Sequence, residues 1–208
     1  MLRTDKQAKD DFWIDFWVIC DERKAHLFYA DHTDAFFRME TPIEKFPEGF
    51  AAAHEQLAIK ASGTNSTGAW TFHEASHIYR VRQTGQYLAL LEGTYAHPTR
   101  KKYWDSRNRF LFGMVADRLE GPWRRIEAEG GEFLGEPRWM FSADGMRTKL
   151  GQVSHPELIR AGNNERMEIE DFRLQVLFQA FDASGTPDSY DYHSLPWSLF
   201  LMRNFSDR

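Results

Sequence analysis

Short runs of apolar residues recur along the chain from Phe12 onward, most of them alternating with polar positions or breaking off after a few residues. Runs rich in Val, Ile, Phe, Tyr and Trp and closed by Gly, Pro, Asp or Asn fit a pleated, half-buried surface. The pattern predicts strands over 16–20, 26–30, 35–39, 56–59, 75–81, 87–92, 110–116, 123–127, 138–142, 153–160, 173–180 and 199–203. No long stretch spaces its apolar residues at i, i+3, i+4 and i+7, so no helix is predicted. Positions 43–46 and 118–121 read as turns. Positions 61–69, 95–108, 128–136 and 182–194 read as insertions between strands, where binding residues concentrate. The expectation is an all-β chain with one domain over 1–208.

Twelve strands in series suit a sandwich or a propeller. A faint repeat favours the propeller. The run at 35–39 leads to Phe46-Pro-Glu-Gly-Phe50, and the run at 110–116 leads to Leu119-Glu-Gly-Pro-Trp123. Each reads as third strand, Gly/Pro turn, aromatic, fourth strand. At four strands per blade the chain holds three blades, fewer than the roughly four to eight of closed propellers.

Charge narrows the function. Lys and Arg number 26 against 31 Asp and Glu, a net charge of −5. There is no basic excess for a phosphate backbone, so no nucleic-acid partner is expected. No run approaches the ~20 apolar residues of a membrane-spanning helix, and no membrane partner is expected. The first eleven residues are polar and lack the apolar centre of a signal peptide. The single cysteine, Cys20, lies in an apolar run and reads as a buried small hydrophobe. Aromatic residues make up 15% of the chain, including seven Trp. Without basic charge, that share points to sugar faces or to the core before nucleobases.

No GxSxG, GxGxxG, Walker loop or paired CxxC is present, so serine hydrolase, dinucleotide and zinc-ribbon readings lack their signatures. His73 and His77 lie four apart on a predicted strand, hence on one face. What stands out is acid on apolar backgrounds: Asp15 within Phe12-Trp-Ile-Asp-Phe-Trp-Val-Ile-Cys20, Glu74 within Trp70-Thr-Phe-His-Glu-Ala-Ser-His77, and Glu92 closing Tyr87-Leu-Ala-Leu-Leu-Glu92. Two carboxyls converging on one channel, one raised by burial and one kept ionised, have the logic of glycoside hydrolysis. The competing reading satisfies each acid with an arginine or backbone N–H groups. His155 is open to substrate contact, metal ligation or loop capping. Tyr190, Tyr192 and Trp197 are open to sugar stacking or core packing.

Ordered blocks over nearly the whole chain resemble glycoside hydrolase family 62, the α-L-arabinofuranosidases acting on arabinoxylan. They are Ile14-Asp-Phe-Trp-Val-Ile-Cys-Asp21, Ala25-His-Leu-Phe-Tyr29, Phe36-Phe-Arg-Met-Glu-Thr-Pro-Ile43, Phe46-Pro-Glu-Gly-Phe50, Phe72-His-Glu-Ala-Ser-His-Ile-Tyr79, Gln86-Tyr-Leu88, Val115-Ala-Asp-Arg-Leu-Glu-Gly-Pro-Trp123, Ser154-His-Pro-Glu-Leu-Ile-Arg160 and Tyr192-His-Ser-Leu-Pro-Trp197. The resemblance implies a five-bladed β-propeller, secreted, that removes arabinofuranosyl branches from xylan with inversion. It implies Glu74 as general acid and Asp15 as the residue that tunes the acid and orients the sugar. His155, Trp197, Glu92 and Tyr192 become candidate substrate contacts, and His155 the candidate neighbour of a calcium ion.

Three departures qualify the resemblance. The family's general base is an Asp well upstream of the segment matching Asp15, and only fourteen residues precede Asp15 here. The first blade or two is therefore expected to be missing, with three to four present and Asp5, Asp10 and Asp11 in no base-like context. The basic loop His97-Pro-Thr-Arg-Lys-Lys-Tyr103 is longer than is usual in relatives, and Pro156 stands where the family usually has Gly. The expectation is an arabinofuranosidase, monomeric when complete. Its alternatives are an impaired carbohydrate-binding propeller fragment lacking the base, and a structural fragment with an exposed apolar edge.

Overall fold

The computed structural model describes residues 13–31, 35–64, 68–95, 109–126, 139–141, 147–184 and 194–203. Among them there is no α-helix, and the strands form three separate sheets. The first sheet is a meander of β1 (Ile14–Cys20), β2 (Lys24–Ala30), β3 (Phe36–Pro42) and β4 (Gln56–Ile59). Two 3-10 turns, Ile43–Lys45 and Glu48–Ala52, link β3 to β4. The second sheet has β5 (Ser62–Thr64), β6 (Ala69–Val81), β7 (Tyr87–Tyr95), β8 (Arg109–Ala116) and β9 (Arg124–Arg125). The third joins β10 (Trp139–Phe141), β11 (Arg147–Leu158), β13 (Gln175–Asp182) and β14 (Ser198–Arg203). Between β11 and β13 the chain returns to the second sheet, where β12 (Glu168–Ile169) pairs parallel with the end of β6.

Residue pattern follows layer position. All nine residues of β7, Tyr-Leu-Ala-Leu-Leu-Glu-Gly-Thr-Tyr, are buried, because the second sheet is covered on both faces and a strand covered twice reads as a continuous apolar run. One face packs on the first sheet through Ile19, Phe28, Phe36, Phe72, Phe110 and Phe112. The other packs on the third sheet through Tyr79, Leu88, Leu111, Val176 and Phe178. By contrast β13 alternates buried and less buried residues, the mark of a sheet covered mainly on one side. Gly93 on β7 admits the Phe110 ring so closely that any side chain there would collide with it.

The strands β1, β6 and β11 run side by side in one direction. Asp15 Oδ2 of β1 accepts from the Ala75 N–H of β6 at 2.7 Å. Two residues on, Trp17 donates from Nε1 to the Ile78 carbonyl at 2.8 Å and stacks on His77, centroids 4.4 Å apart. Between β6 and β11, His77 lies 3.4 Å from Glu157, and the Leu158 N–H donates to the Tyr79 hydroxyl at 3.0 Å. In both pairs the contacts advance together along the chain, so the three strands share a direction.

Ten of the twelve expected strands coincide with the main body of an observed strand; 123–127 shrinks to two residues and 138–142 to three. The expected turns at 43–46 and 118–121 do link third to fourth strands. The stretch 61–69 contains the pairing strand β5, and β12 was not expected. Cys20 is buried, and its burial raises the thiol above the usual range, as befits a packing residue. The loop 97–103, Tyr190, Tyr192 and the early Asp5, Asp10 and Asp11 lie outside the described residues.

Candidate active site

Each of β1, β6 and β11 is interrupted by a bulge, and each bulge carries a candidate residue. In β1 one extra residue separates the pairs Ile14–Ala30 and Trp17–Phe28, and Asp15 there has φ of 57°. In β6 two extra residues separate Phe72–Gly93 from Ser76–Leu91, with Ala75 at 53° just after Glu74. In β11 one extra residue lies between Ser154–Gln179 and Glu157–Leu177, with His155 at 46°. Left-handed backbone costs a non-glycine residue roughly 1–2 kcal/mol. It recurs where bulges re-aim side chains at sites. The bulge also corrects the expectation for His73 and His77: strand alternation is broken between them. His73 sits 3.5 Å from Glu74 while His77 stacks on Trp17.

Around these bulges the structure joins Glu74, Glu92 and His155 through two residues the sequence reading missed, Arg109 and Ser154, while Asp15 reaches the β6 bulge by accepting the Ala75 N–H. Arg109 Nη1 donates to Glu74 Oε1 at 2.7 Å, to Glu92 Oε2 at 3.1 Å and to Ser154 Oγ at 3.2 Å. Glu92 is fully buried and also accepts from Ser154 Oγ at 2.8 Å and from the His155 N–H at 2.5 Å. Burial pushes the Glu92 carboxyl up, and Arg109 pulls against that. Glu74 keeps a 16% exposed side chain, an opening to solvent, whereas Arg109 is 5% exposed.

The serine fixes the histidine tautomer. Ser154 has one hydroxyl proton, which goes to Glu92, so at 2.8 Å its oxygen accepts from His155 Nδ1–H. Nε2 is then the ring nitrogen of this exposed residue that Ser154 does not engage, and in the neutral ring it holds a lone pair. A lone pair there can receive a hydroxyl proton. It does not make a calcium cage: calcium takes about six to eight oxygens. The Glu92 oxygens beside His155 are already taken by three donors, one of them the Arg109 guanidinium. His155 and Glu92 do not fit that ion. Trp197 precedes β14 and packs edge-on against Phe181 at 5.8 Å. The Phe181 ring covers Gly151, three residues before Ser154 on β11.

A second polar group lies on the first sheet, where Asp21, His26 and Glu120 place possible ligand atoms within 4.8 Å of one another. Arg38 Nη1 is 2.9 Å from His26 Nδ1. Arginine only donates, so Nδ1 accepts and Nε2 carries the proton it gives to Asp21 at 3.1 Å. With no lone pair at Nε2, the cluster is a hydrogen-bonded strut.

Burial gives the site its acid sensitivity. Burial, with Arg109 nearby, pushes His73 down to about 3, and burial pushes His77 down to about 4. At neutral pH the His77–Glu157 contact is therefore polar and not ionic. An unfolded histidine titrates near 6.5. Between that value and about 4 the unfolded chain takes up protons that the folded chain refuses, so stability falls as pH drops through this window. The urea midpoint is expected to decrease from pH 7 to pH 4.5, with His77 contributing about 2 kcal/mol of the loss. His77→Gln should flatten that slope; an unchanged slope would show that the ring is not held neutral.

The family model described as Glycosyl hydrolase family 62 matches residues 4–202. Alpha-L-arabinofuranosidase C of Cellvibrio japonicus (strain Ueda107) is 26% identical over 202 residues, covering 95% of this chain and 28% of its own length. Among solved structures, the catalytic domain of a family 62 α-L-arabinofuranosidase of Coprinopsis cinerea superposes with a TM-score of 0.67 at 29% identity, over 93% of this chain and 54% of its own. An α-L-arabinofuranosidase of Podospora anserina in complex with cellotriose gives 0.66 at 27% identity, over 92% and 53%. The chain thus spans about half the length of these solved relatives and under a third of the curated one.

Proposed function

This chain belongs to glycosyl hydrolase family 62, and on that footing we propose that it forms the acid-bearing part of an inverting α-L-arabinofuranosidase acting on arabinoxylan outside the cell. The observation that carries the reading is the joining of Glu74, Glu92 and His155 beside the bulges of β6 and β11, with Asp15 reaching across from the β1 bulge and the Glu74 carboxyl partly open to solvent. The three sheets are read as three blades of a propeller, with the parallel strands β1, β6 and β11 lining its axis.

In this mechanism Glu74 gives its proton to the glycosidic oxygen of the leaving xylan. Arg109 and Glu92 hold Glu74 in place from behind. Asp15 clamps the bulge that presents Glu74 by accepting the Ala75 N–H. His155 Nε2 accepts a hydroxyl of the arabinose ring, and Trp197 and Tyr192 are assigned to substrate contact. Water attacks the anomeric carbon from the opposite face and gives its proton to a base carboxylate. We assign that base to the part of the family fold that this chain does not span. No step passes through calcium.

Arabinose release from arabinoxylan, followed by proton NMR, tests the proposal. Little release is expected from the chain alone. With the remainder of a family 62 domain supplied, the β-anomer is expected first. Appearance of the α-anomer first would overturn inversion. No release in either case, with arabinoxylo-oligosaccharide still bound, would favour a carbohydrate-binding fragment, a reading supported by the half-length coverage of the relatives.

A further inference from the structure

The β11 bulge aims His155, yet its own strand gives it little support. Residues 155 and 156 fall between the registered pairs Ser154–Gln179 and Glu157–Leu177, so the ladder to β13 lapses there. His155 has φ of 46°, a conformation that persists only where the surroundings impose it. Pro156 has no N–H to give to any ladder. It is buried, and a buried carbonyl without a partner costs about as much as a lost hydrogen bond.

The partner comes from the neighbouring sheet. The His77 ring on β6 donates to the Pro156 carbonyl. Two residues on, and on the same face of β6, the Tyr79 hydroxyl accepts the Leu158 N–H at 3.0 Å and donates to the Glu157 carboxyl. Two side chains of one sheet thus grip residues 156–158 of another. The gripping ring is itself held. Trp17 stacks on it with centroids 4.4 Å apart and planes 18° apart, and donates from Nε1 to the adjoining Ile78 carbonyl at 2.8 Å. His77 Nδ1 lies 3.4 Å from Glu157 Oε2 and 3.5 Å from the Tyr79 hydroxyl. Packing alone would be served by an apolar ring, since burying an imidazole costs desolvation that a polar contact must offset.

What hangs on the bulge is the geometry of the site. The His155 N–H reaches Glu92 Oε1 at 2.5 Å, and the His155 ring meets Ser154 Oγ at 2.8 Å. Both contacts depend on where the 155–156 peptide lies. We infer that His77 is a positioning residue, which by holding the Pro156 carbonyl sets the β11 bulge and so aims the His155 ring at the sugar. The sugar rests on the glycosidase reading above; the aim of the ring does not. The support runs from Trp17 on β1 through His77 on β6 to Pro156 on β11, across all three sheets.

The test compares His77→Phe with His77→Gln in the full chain, its histidine rings labelled with nitrogen-15. Phenylalanine keeps a ring against Trp17 and loses the donor, whereas glutamine keeps a donor of similar reach. At about pH 8 a histidine ring is neutral, and the wild type should show the His155 proton on Nδ1 and the lone pair on Nε2. His77→Gln should keep that signature. His77→Phe should lose it, the ring taking up both tautomers while circular dichroism shows the fold retained. Affinity for an arabinoxylo-oligosaccharide, by calorimetry, should fall about tenfold in His77→Phe, the usual worth of one hydrogen bond, and clearly less in His77→Gln. In the wild type the His77 ring proton should exchange slowly with solvent, a measurement that stands even where a variant fails to fold. An unchanged His155 signature in His77→Phe would overturn the proposal, as would equal loss in both variants, which marks a packing role, or a fast-exchanging His77 proton. The expected signatures with no oligosaccharide bound by the wild type would remove the glycosidase reading and leave His77 its role. Arabinose release by a chain whose His155 signature ignores His77 would do the reverse.

Discussion

Glu92→Ala is expected to lower the unfolding free energy by about 3–5 kcal/mol, the usual cost of removing one partner from a buried ion pair. Glu92 is fully buried and receives the Arg109 guanidinium, the Ser154 hydroxyl and the His155 N–H. Alanine leaves a 5% exposed cation with Glu74 alone among these carboxylates, and leaves two further donors pointing at a void. For a chain of this size each kcal/mol moves the melting temperature by about 2–4 °C, so a drop on the order of 10 °C should appear in thermal circular dichroism. Glu92→Gln keeps the shape and loses the charge, and should fall between wild type and alanine. A loss under about 1 kcal/mol for alanine would mean that Arg109 finds its compensation elsewhere and that Glu92 is not the keystone of the site.

Glu74→Gln is expected to cut arabinose release from arabinoxylan by a factor of about 10²–10⁴, the usual contribution of a positioned proton donor. The measurement is made on the assembled protein, with the rest of the family fold supplied. Glutamine keeps the carbonyl oxygen that receives Arg109 at 2.7 Å, so folding and KM should change little and the loss should fall on kcat. An aryl arabinofuranoside whose phenolate leaves without protonation should be cleaved with a far smaller deficit. Equal losses on both substrates would make Glu74 a structural partner of Arg109, and equal release by variant and wild type would take it out of the reaction.

Much of this was legible in the residues. Strands announced themselves where apolar pattern and turn residues agreed, as at β4, where the expected and observed limits coincide. Asp15, Glu74 and Glu92 stood out because charge inside apolar runs needs a partner. The same rule applied to Arg109, at the head of Arg-Phe-Leu-Phe-Gly-Met-Val-Ala, would have found the cation that joins two of them. Ser154 was not findable that way, because a serine beside a histidine is unremarkable until geometry supplies the donors. The bulges were hidden too. Period-two reasoning presumes an unbroken ladder, and nothing in Phe-His-Glu-Ala-Ser marks two extra residues. β12 escaped because two paired residues carry no periodicity.

The return segment between β11 and β13 changes how the molecule should come apart. The Cys20 N–H of the first sheet donates to the Glu165 carbonyl at 2.8 Å, and the Arg80 N–H of the second donates to the Met167 carbonyl at 3.2 Å. Arg82 grips Glu168 there at 3.1 Å. A stretch that leaves and rejoins the third sheet thereby laces the ends of the other two. Arrays of like units usually unravel one neighbour at a time; a strap sewn across all three makes them melt in unison, so a cut in that strap would loosen the whole body before it loosened any single layer.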